Sequence, residues 1–455
     1  MQIVVLGAGY VGLVTAACFA EFGVDVVCVD QDAERIARLR DGIMPVYEPG
    51  LAELTARNLA AGRLAFADDT ASHIPRADAV FIAVGTPSRR GDGHADLRYV
   101  EEAVAALAPQ LAAGRFTVVV TKSTVPVGTC RMVLQRIAQI NPGADFAVCA
   151  NPEFLSQGSA LRDFMQPDRL VIGVEDVRAA AIMRALYRPL LMLETPVVET
   201  GLETAELIKY AGNAFLAAKI GLMNEIADLC ERTGADVRDV AEGLGLDRRI
   251  GREFLRPGPG FGGSCLPKDA LALIKTAREA GAPVRIVETV VAVNDQRKQA
   301  MAARVVAACG GSVQGKAIAV LGVTFKPGTD DMRSSAALDL IPDLQDQGAV
   351  IRAYDPAGMQ AAVLLLPDVV WARDAYAAAQ GAHAIVLLTE WEEFRTLDFA
   401  RMLPMLAEPV LVDLRNLYEP AAMAQLGFRY FPLGGQAQSD PQEPGCVSVK
   451  AQASI

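Results

Sequence analysis

The chain has 455 residues, 52% of them hydrophobic and 21% charged, with a formal net charge of -11. That length exceeds what one hydrophobic core normally serves, so two or three domains are expected, and an acidic chain without a long basic run argues against nucleic acid as a partner. Eight cysteines are scattered without paired or metal-like spacing, which speaks for a reducing compartment and against a disulfide framework or a metal site.

Residues 1–20 carry no charge and resemble, at first sight, a signal peptide or a membrane span. No basic residue precedes the apolar run, and Gly7, Gly9 and Gly12 interrupt it. A strand, a turn and the start of a helix are therefore expected, in a cytoplasmic protein that does not contact membranes. Strand 2–6 leads into Gly7-Ala8-Gly9-Tyr10-Val11-Gly12 and an alanine-rich helical segment, and a second strand, 24–29, ends at Asp30. The glycine pattern alone is a weak signal. A strand before it, a helix behind it and an acid closing the next strand make it a dinucleotide site. The glycines permit a tight turn and bring a pyrophosphate close to the helix N-terminus. Asp30 would accept hydrogen bonds from a ribose 2′-hydroxyl and repel a 2′-phosphate, which predicts NAD rather than NADP.

Further strands are expected at 79–84, 117–121 and 146–150, ending in Gly85-Thr86-Pro87, Lys122-Ser123-Thr124 and Asn151-Pro152-Glu153. Ligands of doubly wound sheets bind beyond the carboxyl ends of the strands, so these three loops should line one cleft. Thr124 and Glu153 become candidates by that position.

From 201 to 232 the pattern is one long helix, in which Ile208, Ala211, Phe215, Leu222, Ile226 and Leu229 recur at helical steps. Some 30 residues make a rod roughly 45 Å long, able to separate domains and to carry a subunit interface. Glu206, Lys209 and Asn213 share one of its faces.

Cys265 sits in Gly260-Phe261-Gly262-Gly263-Ser264-Cys265-Leu266-Pro267-Lys268-Asp269. The glycines allow close approach of a ligand to the backbone, and Pro267 suits the first turn of a helix that Leu271, Leu273 and Ile274 continue. Cys265 is thus expected at a helix N-terminus with Lys268 nearby, and both features favour a thiolate over the ordinary buried, inert thiol. His73, His94 and His383 form no constellation, so imidazole acid–base chemistry is not expected.

The last third repeats the first in a degraded form. Strands are expected at 317–321, 350–354 (ending at Asp355), 382–389 and 409–413, without the glycine fingerprint. In its place the chain reads Thr324-Phe325-Lys326-Pro327-Gly328-Thr329-Asp330-Asp331-Met332-Arg333, where two cations suggest anionic ligands. Residues 434–455, rich in Gln, Ser, Pro and Gly, are expected to be a disordered tail.

These segments together resemble the UDP-glucose 6-dehydrogenase family of nucleotide-sugar dehydrogenases, over nearly the whole chain. The markers are the fingerprint, VGTP at 84–87, KSTVPVGT at 122–129, NPEFL at 151–155, ELIKYAGNAF at 206–215, RIGREFL at 249–255, FGGSCLPKD at 261–269 and FKPGTDDMR at 325–333. The resemblance implies an α/β protein with two Rossmann-like, doubly wound domains joined by a long central helix and helical domain. Its boundaries would be 1–200 for the NAD domain, 201–300 for a helical dimerisation domain with the cysteine loop, and 301–433 for the UDP-sugar domain.

The family oxidises carbon 6 of the sugar twice, from alcohol to carboxylate, and reduces two NAD. By resemblance Cys265 is the nucleophile, Lys209 and Asn213 stabilise the oxyanion, Thr124 and Asp269 hold a water or relay, and Glu153 activates water for thioester hydrolysis. The NAD contacts implied are Gly7, Gly9, Tyr10, Val11, Gly12, Asp30, Arg35, Thr86, Thr124, Gln157, Lys268 and Arg333. The sugar nucleotide would meet Glu153, Phe154, Leu155, Lys209, Asn213, Phe254, Leu255, Arg256, Pro257, Gly258, Gly262, Lys326 and Arg415. Arg249 looks like the arginine that a neighbouring subunit lends to the sugar, which implies at least a homodimer.

Two positions depart from the pattern. Gln157 stands where many members carry glutamate, and Leu266 replaces the commoner phenylalanine, as in GDP-mannose dehydrogenases. The stretch 89–97 and the 206–215 and 249–255 segments look more like the UDP-glucose branch. A GDP-mannose dehydrogenase, a non-catalytic nucleotide-sugar sensor and a single-step hydroxyacid dehydrogenase are the competing readings.

Overall fold

A computed structural model describes residues 1–87, 89 and 95–436. Most of the 89–97 stretch, His94 and residues 437–455 of the expected tail lie outside these.

The central strands are short runs rich in Val, Ile, Ala and Leu and buried on both faces, as parallel sheets covered by helices require. Eight build the first sheet: β1 Gln2–Leu6, β2 Asp25–Val29, β3 Leu64–Ala67, β4 Ala79–Ile82, β5 Thr117–Thr121, β6 Phe146–Ala150, β7 Leu170–Gly173 and β8 Val197–Thr200. They lie in the order β3-β2-β1-β4-β5-β6-β7-β8. The first six therefore follow the dinucleotide-binding order, and only the β6–β7 pairing is antiparallel. Six more form the second sheet: β9 Ala317–Leu321, β10 Val350–Tyr354, β11 Val370–Trp371, β12 Ala384–Leu387, β13 Val410–Asp413 and β14 Arg429–Pro432. Their order, β11-β10-β9-β12-β13-β14, is again that of a Rossmann fold, with every pairing parallel. The degraded repeat read in the sequence is a complete second sheet.

Two compact units result. One holds Met1–Ala217 and Ser264–Val291; the other holds Ala218–Gly263 and the described residues from Ala292 onward. The segment expected as a separate helical domain, 201–300, is divided between them. Its long helix is a single element, Leu202–Thr233, as the periodicity predicts. The burial of its faces differs from that expectation. Phe215, Leu222 and Leu229 are more than half exposed, whereas Tyr210, Ala214, Ala217, Met223, Ala227 and Cys230 are buried.

In the second unit Asp355 takes the place that Asp30 has in the first, at the end of the second strand. It is fully buried and accepts from the Val323, Thr324, Ala357 and Gly358 N–H groups and from the Trp391 indole. This carboxylate is consumed by its own turn. Residues 434–436 are also held: Gly434 donates to Glu231 at 2.8 Å and accepts from the Val237 N–H at 2.9 Å. No helix among the described residues is long and apolar enough to cross a membrane.

Candidate active site

The first site begins where β1 ends. Gly7 has φ +103°, and a Cβ there would lie 2.8 Å from the Ala83 carbonyl oxygen; one on Gly12 would lie 1.8 Å from the Gly7 carbonyl oxygen. Both glycines are required by the turn itself. A Cβ on Gly9 would meet nothing within 4 Å, so the mouth of the turn, at the start of helix Tyr10–Glu21, is open to a ligand. The Ala8 N–H donates to Asp30 Oδ2 at 2.7 Å, and Arg35 Nη1 lies 3.1 Å from the same oxygen. The strand-end acid is thus fixed beside the phosphate turn, the arrangement that suits a pyrophosphate and its adenosine ribose.

The second group gathers on three elements of the same unit. Helix Leu266–Glu279 starts at Cys265, as expected, with Pro267 in its first turn. From the long helix come Lys209, 3% exposed, and Asn213; from the turn after β6 comes Glu153. Lys209 Nζ stands 3.4 Å from Glu153 Oε1, Asn213 Nδ2 donates to Asp269 Oδ2 at 2.6 Å, and Lys268 Nζ pairs with Asp269 Oδ1 at 2.6 Å. Thr124 lines a small cavity with Thr121, Glu206 and Lys209, and its carbonyl accepts from the Thr86 hydroxyl at 2.8 Å.

The electrostatics correct one expectation. Burial raises the Cys265 thiol above its ordinary value, with Glu153 and Asp269 adding to the rise and Lys209 opposing it. The resting group is a thiol, because desolvation and two carboxylates outweigh the helix N-terminus. The cation acting on it is Lys209, while Lys268 is committed to Asp269. Burial pulls the Lys209 ammonium down, but Glu153 and Asp269 oppose this, and the group is held above its ordinary value. A thiol beside a buried ammonium and a carboxylate can add to a carbonyl and have the resulting oxyanion stabilised.

Three comparisons fit this geometry. Residues 1–191, 203–296 and 319–420 match, in turn, the NAD binding, central and UDP binding domains of the UDP-glucose/GDP-mannose dehydrogenase family. The chain belongs to that family. It is an NAD-dependent nucleotide-sugar dehydrogenase. It is 57% identical to the UDP-glucose 6-dehydrogenase of Rhizobium meliloti, over 95% of this chain and 99% of that protein. It is 45% identical to that of Bacillus subtilis, over 98% and 96%. Its fold matches a UDP-glucose dehydrogenase structure from Pyrobaculum islandicum with a TM-score of 0.87 at 39% identity, covering 95% and 98% of the two chains.

The dehydrogenase's remaining candidates fall in its second unit. Gly258 and Arg415 are neighbours, since a Cβ on Gly258 would lie 2.9 Å from Arg415 Nη1. Arg415 also donates to the Leu388 and Phe325 carbonyls at 2.8 and 3.2 Å. Lys326 Nζ stands 5.8 Å from the Phe325 ring centroid. Leu255 and Pro257 are buried and Arg256 is exposed, while Phe254 has φ +62°, a left-handed conformation that a bulky residue rarely holds. Gly262 and Gly263 face their own chain: a Cβ would lie 2.3 Å from the Ser334 carbonyl oxygen and 2.6 Å from the Phe325 ring. Packing, and not ligand access, accounts for these two glycines. Arg249 is 84% exposed and paired with Asp247, and Arg333 is paired with Asp331.

The structure adds residues that no spacing pointed to. Glu48 receives the Tyr10 hydroxyl and the Gly158 and Ala160 N–H groups, the last two at 2.6 and 2.8 Å. It ties the fingerprint helix to the segment that carries Phe154, Leu155 and Gln157. Asn294 grips Phe261 at both polar groups, 2.7 Å from its N–H and 3.1 Å from its carbonyl. Arg297 and Asn224 hold Gly258 in the same way, at 2.6 and 2.9 Å.

Proposed function

We propose that the chain oxidises UDP-glucose at carbon 6 to UDP-glucuronate through a thioester on Cys265. The observation that carries this reading is the half-buried Cys265 thiol, influenced by the Lys209 ammonium and the Glu153 carboxylate within one unit. The Gly7–Gly12 turn would hold NAD, with Asp30 at its ribose, and the cofactor would supply the hydride acceptor for each of two oxidations at carbon 6. In the first, the hydroxyl proton leaves through water held by Thr124 and Asp269, whose two oxygens are already oriented by Asn213 and Lys268. The product is an aldehyde. The Cys265 sulfur then bonds to the aldehyde carbon as the thiol proton passes to the water held by Thr124 and Asp269, and the carbonyl oxygen becomes the oxyanion that Lys209 and Asn213 stabilise. Loss of the second hydride from this thiohemiacetal leaves the thioester. Glu153 takes a proton from water as its oxygen bonds to the acyl carbon; the C–S bond breaks and Glu153 passes the proton to the leaving sulfur, which restores the thiol.

The Phe254–Gly258 segment, Lys326 and Arg415 would hold the UDP moiety, while Thr86, Gln157 and Lys268 would complete the NAD contacts. A homodimer is supported by the exposed apolar stripe of Leu207, Phe215, Leu222 and Leu229 on the long helix, and Arg249 is exposed enough to reach a second copy. A cytoplasmic setting is supported by seven free cysteines among the described residues.

The UDP-glucose branch is favoured over GDP-mannose by the relatives above. A sensor would need no thiol, and a hydroxyacid dehydrogenase would make one NADH per substrate. The test is to count NADH per UDP-glucose consumed by the purified protein, with GDP-mannose and UDP-N-acetylmannosamine in parallel. Two NADH from UDP-glucose alone supports the reading; one or none, or a preference for another sugar nucleotide, overturns it.

A further inference from the structure

Lys122 is a buried cation to which the chemistry above assigns no task. It follows the last residue of β5 and is 4% exposed. Its ammonium donates to Asn151 Oδ1 at 3.0 Å and to the Tyr187 hydroxyl at 3.3 Å, and it lies 5.8 and 5.9 Å from the ring centroids of Phe164 and Tyr187. Neither hydrogen-bond partner is a carboxylate. Burial pulls its pKa down to about 8; Glu153 opposes that fall and Lys209 adds to it. An ammonium enclosed by neutral groups destabilises a fold unless something offsets it, so packing alone does not account for this residue.

What the ammonium holds is Asn151. The Tyr187 hydroxyl donates to the same Oδ1 at 2.6 Å, Asn151 Nδ2 donates to the Val171 carbonyl at 2.9 Å, and the Asn151 N–H donates to the Thr121 carbonyl at 2.9 Å. The side-chain amide is thus pinned at both ends. Pro152 follows with its φ fixed by the ring, and Glu153 is next. One stiff residue separates the anchored amide from the carboxylate, whose Oε2 accepts the Leu155 N–H and whose Oε1 faces Lys209.

We propose that Lys122 is a positioning residue for Glu153: by pinning Asn151 it fixes the turn that aims the Glu153 carboxylate, and it governs hydrolysis of the acyl-enzyme rather than either oxidation. The proposal rests on the reading of Glu153 as the hydrolytic base. It predicts a kinetic split that general damage to the fold would not produce.

The test uses the full chain with saturating NAD and UDP-glucose, following NADH by stopped flow and the acid-quenched protein by intact mass. Lys122→Met is expected to keep the first-turnover burst of NADH, to slow the steady state by roughly tenfold or more, and to accumulate a covalent acyl adduct on Cys265. Glu153→Gln, run beside it, is expected to accumulate the same adduct. Absence of adduct in Glu153→Gln sinks the reading of Glu153 itself. Adduct in Glu153→Gln but not in Lys122→Met sinks the proposal alone, whether the lysine variant turns over normally or loses burst and steady state together. Tyr187→Phe keeps the ammonium and removes the second donor to Asn151, so it serves if Lys122→Met fails to fold. Adduct above the parental level then supports the anchor, and a parental level overturns it.

Discussion

Glu153 and Lys209 face each other across 3.4 Å with side chains 5% and 4% exposed, so a full charge pair is enclosed beside Cys265. Removing either partner leaves the other buried and unpaired, a change that typically costs about 3–5 kcal/mol. Lys209→Met is therefore expected to lower both the melting temperature and the rate, whereas Lys209→Met combined with Glu153→Leu should recover stability without recovering activity. Thermal melts beside NADH assays check this. Full stability in the single variant would contradict the enclosed pair.

The thiol offers a pH test with a definite sign. Burial, Glu153 and Asp269 raise Cys265 above its ordinary value of 9.0, so the nucleophilic thiolate is scarce at neutral pH and grows as pH rises past 9. Iodoacetamide labelling of Cys265, read by peptide mass, should have its half-maximal rate above pH 9, and Lys209→Met should move it higher still. A midpoint below 8 would contradict the raised thiol. Cys265→Ser should lose turnover by roughly a thousandfold while NAD titration is unchanged.

Lys122 predicts a linkage between pH and stability. Its pKa falls from 10.5 in the unfolded chain to about 8 in the fold, so below pH 8 both states are protonated and the cost of burying the charge is fully present. As pH rises from 8 toward 10.5 the folded state sheds the proton first and the cost fades. The whole swing is about 3 kcal/mol, to order of magnitude. The melting temperature of the parent should accordingly gain on that of Lys122→Met across this window. Parallel melting curves from pH 7 to 10 would contradict the buried charge.

Asn294 holds Phe261 through both of its polar backbone groups, and the loop it braces carries Gly258 and Gly262. Asn294→Ala leaves a buried N–H and carbonyl unmet, at about 1–3 kcal/mol. We expect KM for the sugar nucleotide to rise roughly tenfold with little change in NAD affinity. A rise in NAD KM instead would place the effect elsewhere.

The exposed stripe on the long helix is expected to be covered by a second copy of the chain. Phe215→Asp together with Leu222→Asp should shift the mass in light scattering from dimer to monomer. A parental mass in the double variant would exclude this face as the interface.

Much of the site was legible in the chain. The fingerprint, Asp30, the long helix and the cysteine at a helix start are local signals, because each rests on spacings within one strand–turn–helix or one helix. The parallel sheets followed from short apolar strands alternating with helices. The face that brings Lys209 and Asn213 together was also readable, since residues four apart on a helix lie side by side.

What only tertiary structure decided concerns partners distant in sequence. Periodicity marked Phe215, Leu222 and Leu229 as one apolar face, but which face is buried depends on what packs against the helix, and Tyr210, Ala214 and Ala217 took that place. The helix start and Lys268 predicted a thiolate at Cys265; burial and Glu153, 112 positions away in the chain, made it a thiol. Lys122 looked like one loop cation among many until the fold enclosed it beside Asn151 and Tyr187. The sequence by itself determined the elements, the cofactor turn and the cysteine at a helix start. The fold decided the charge state of that cysteine and which groups are buried around it, because desolvation and Coulomb interactions depend on distances through space and not along the chain.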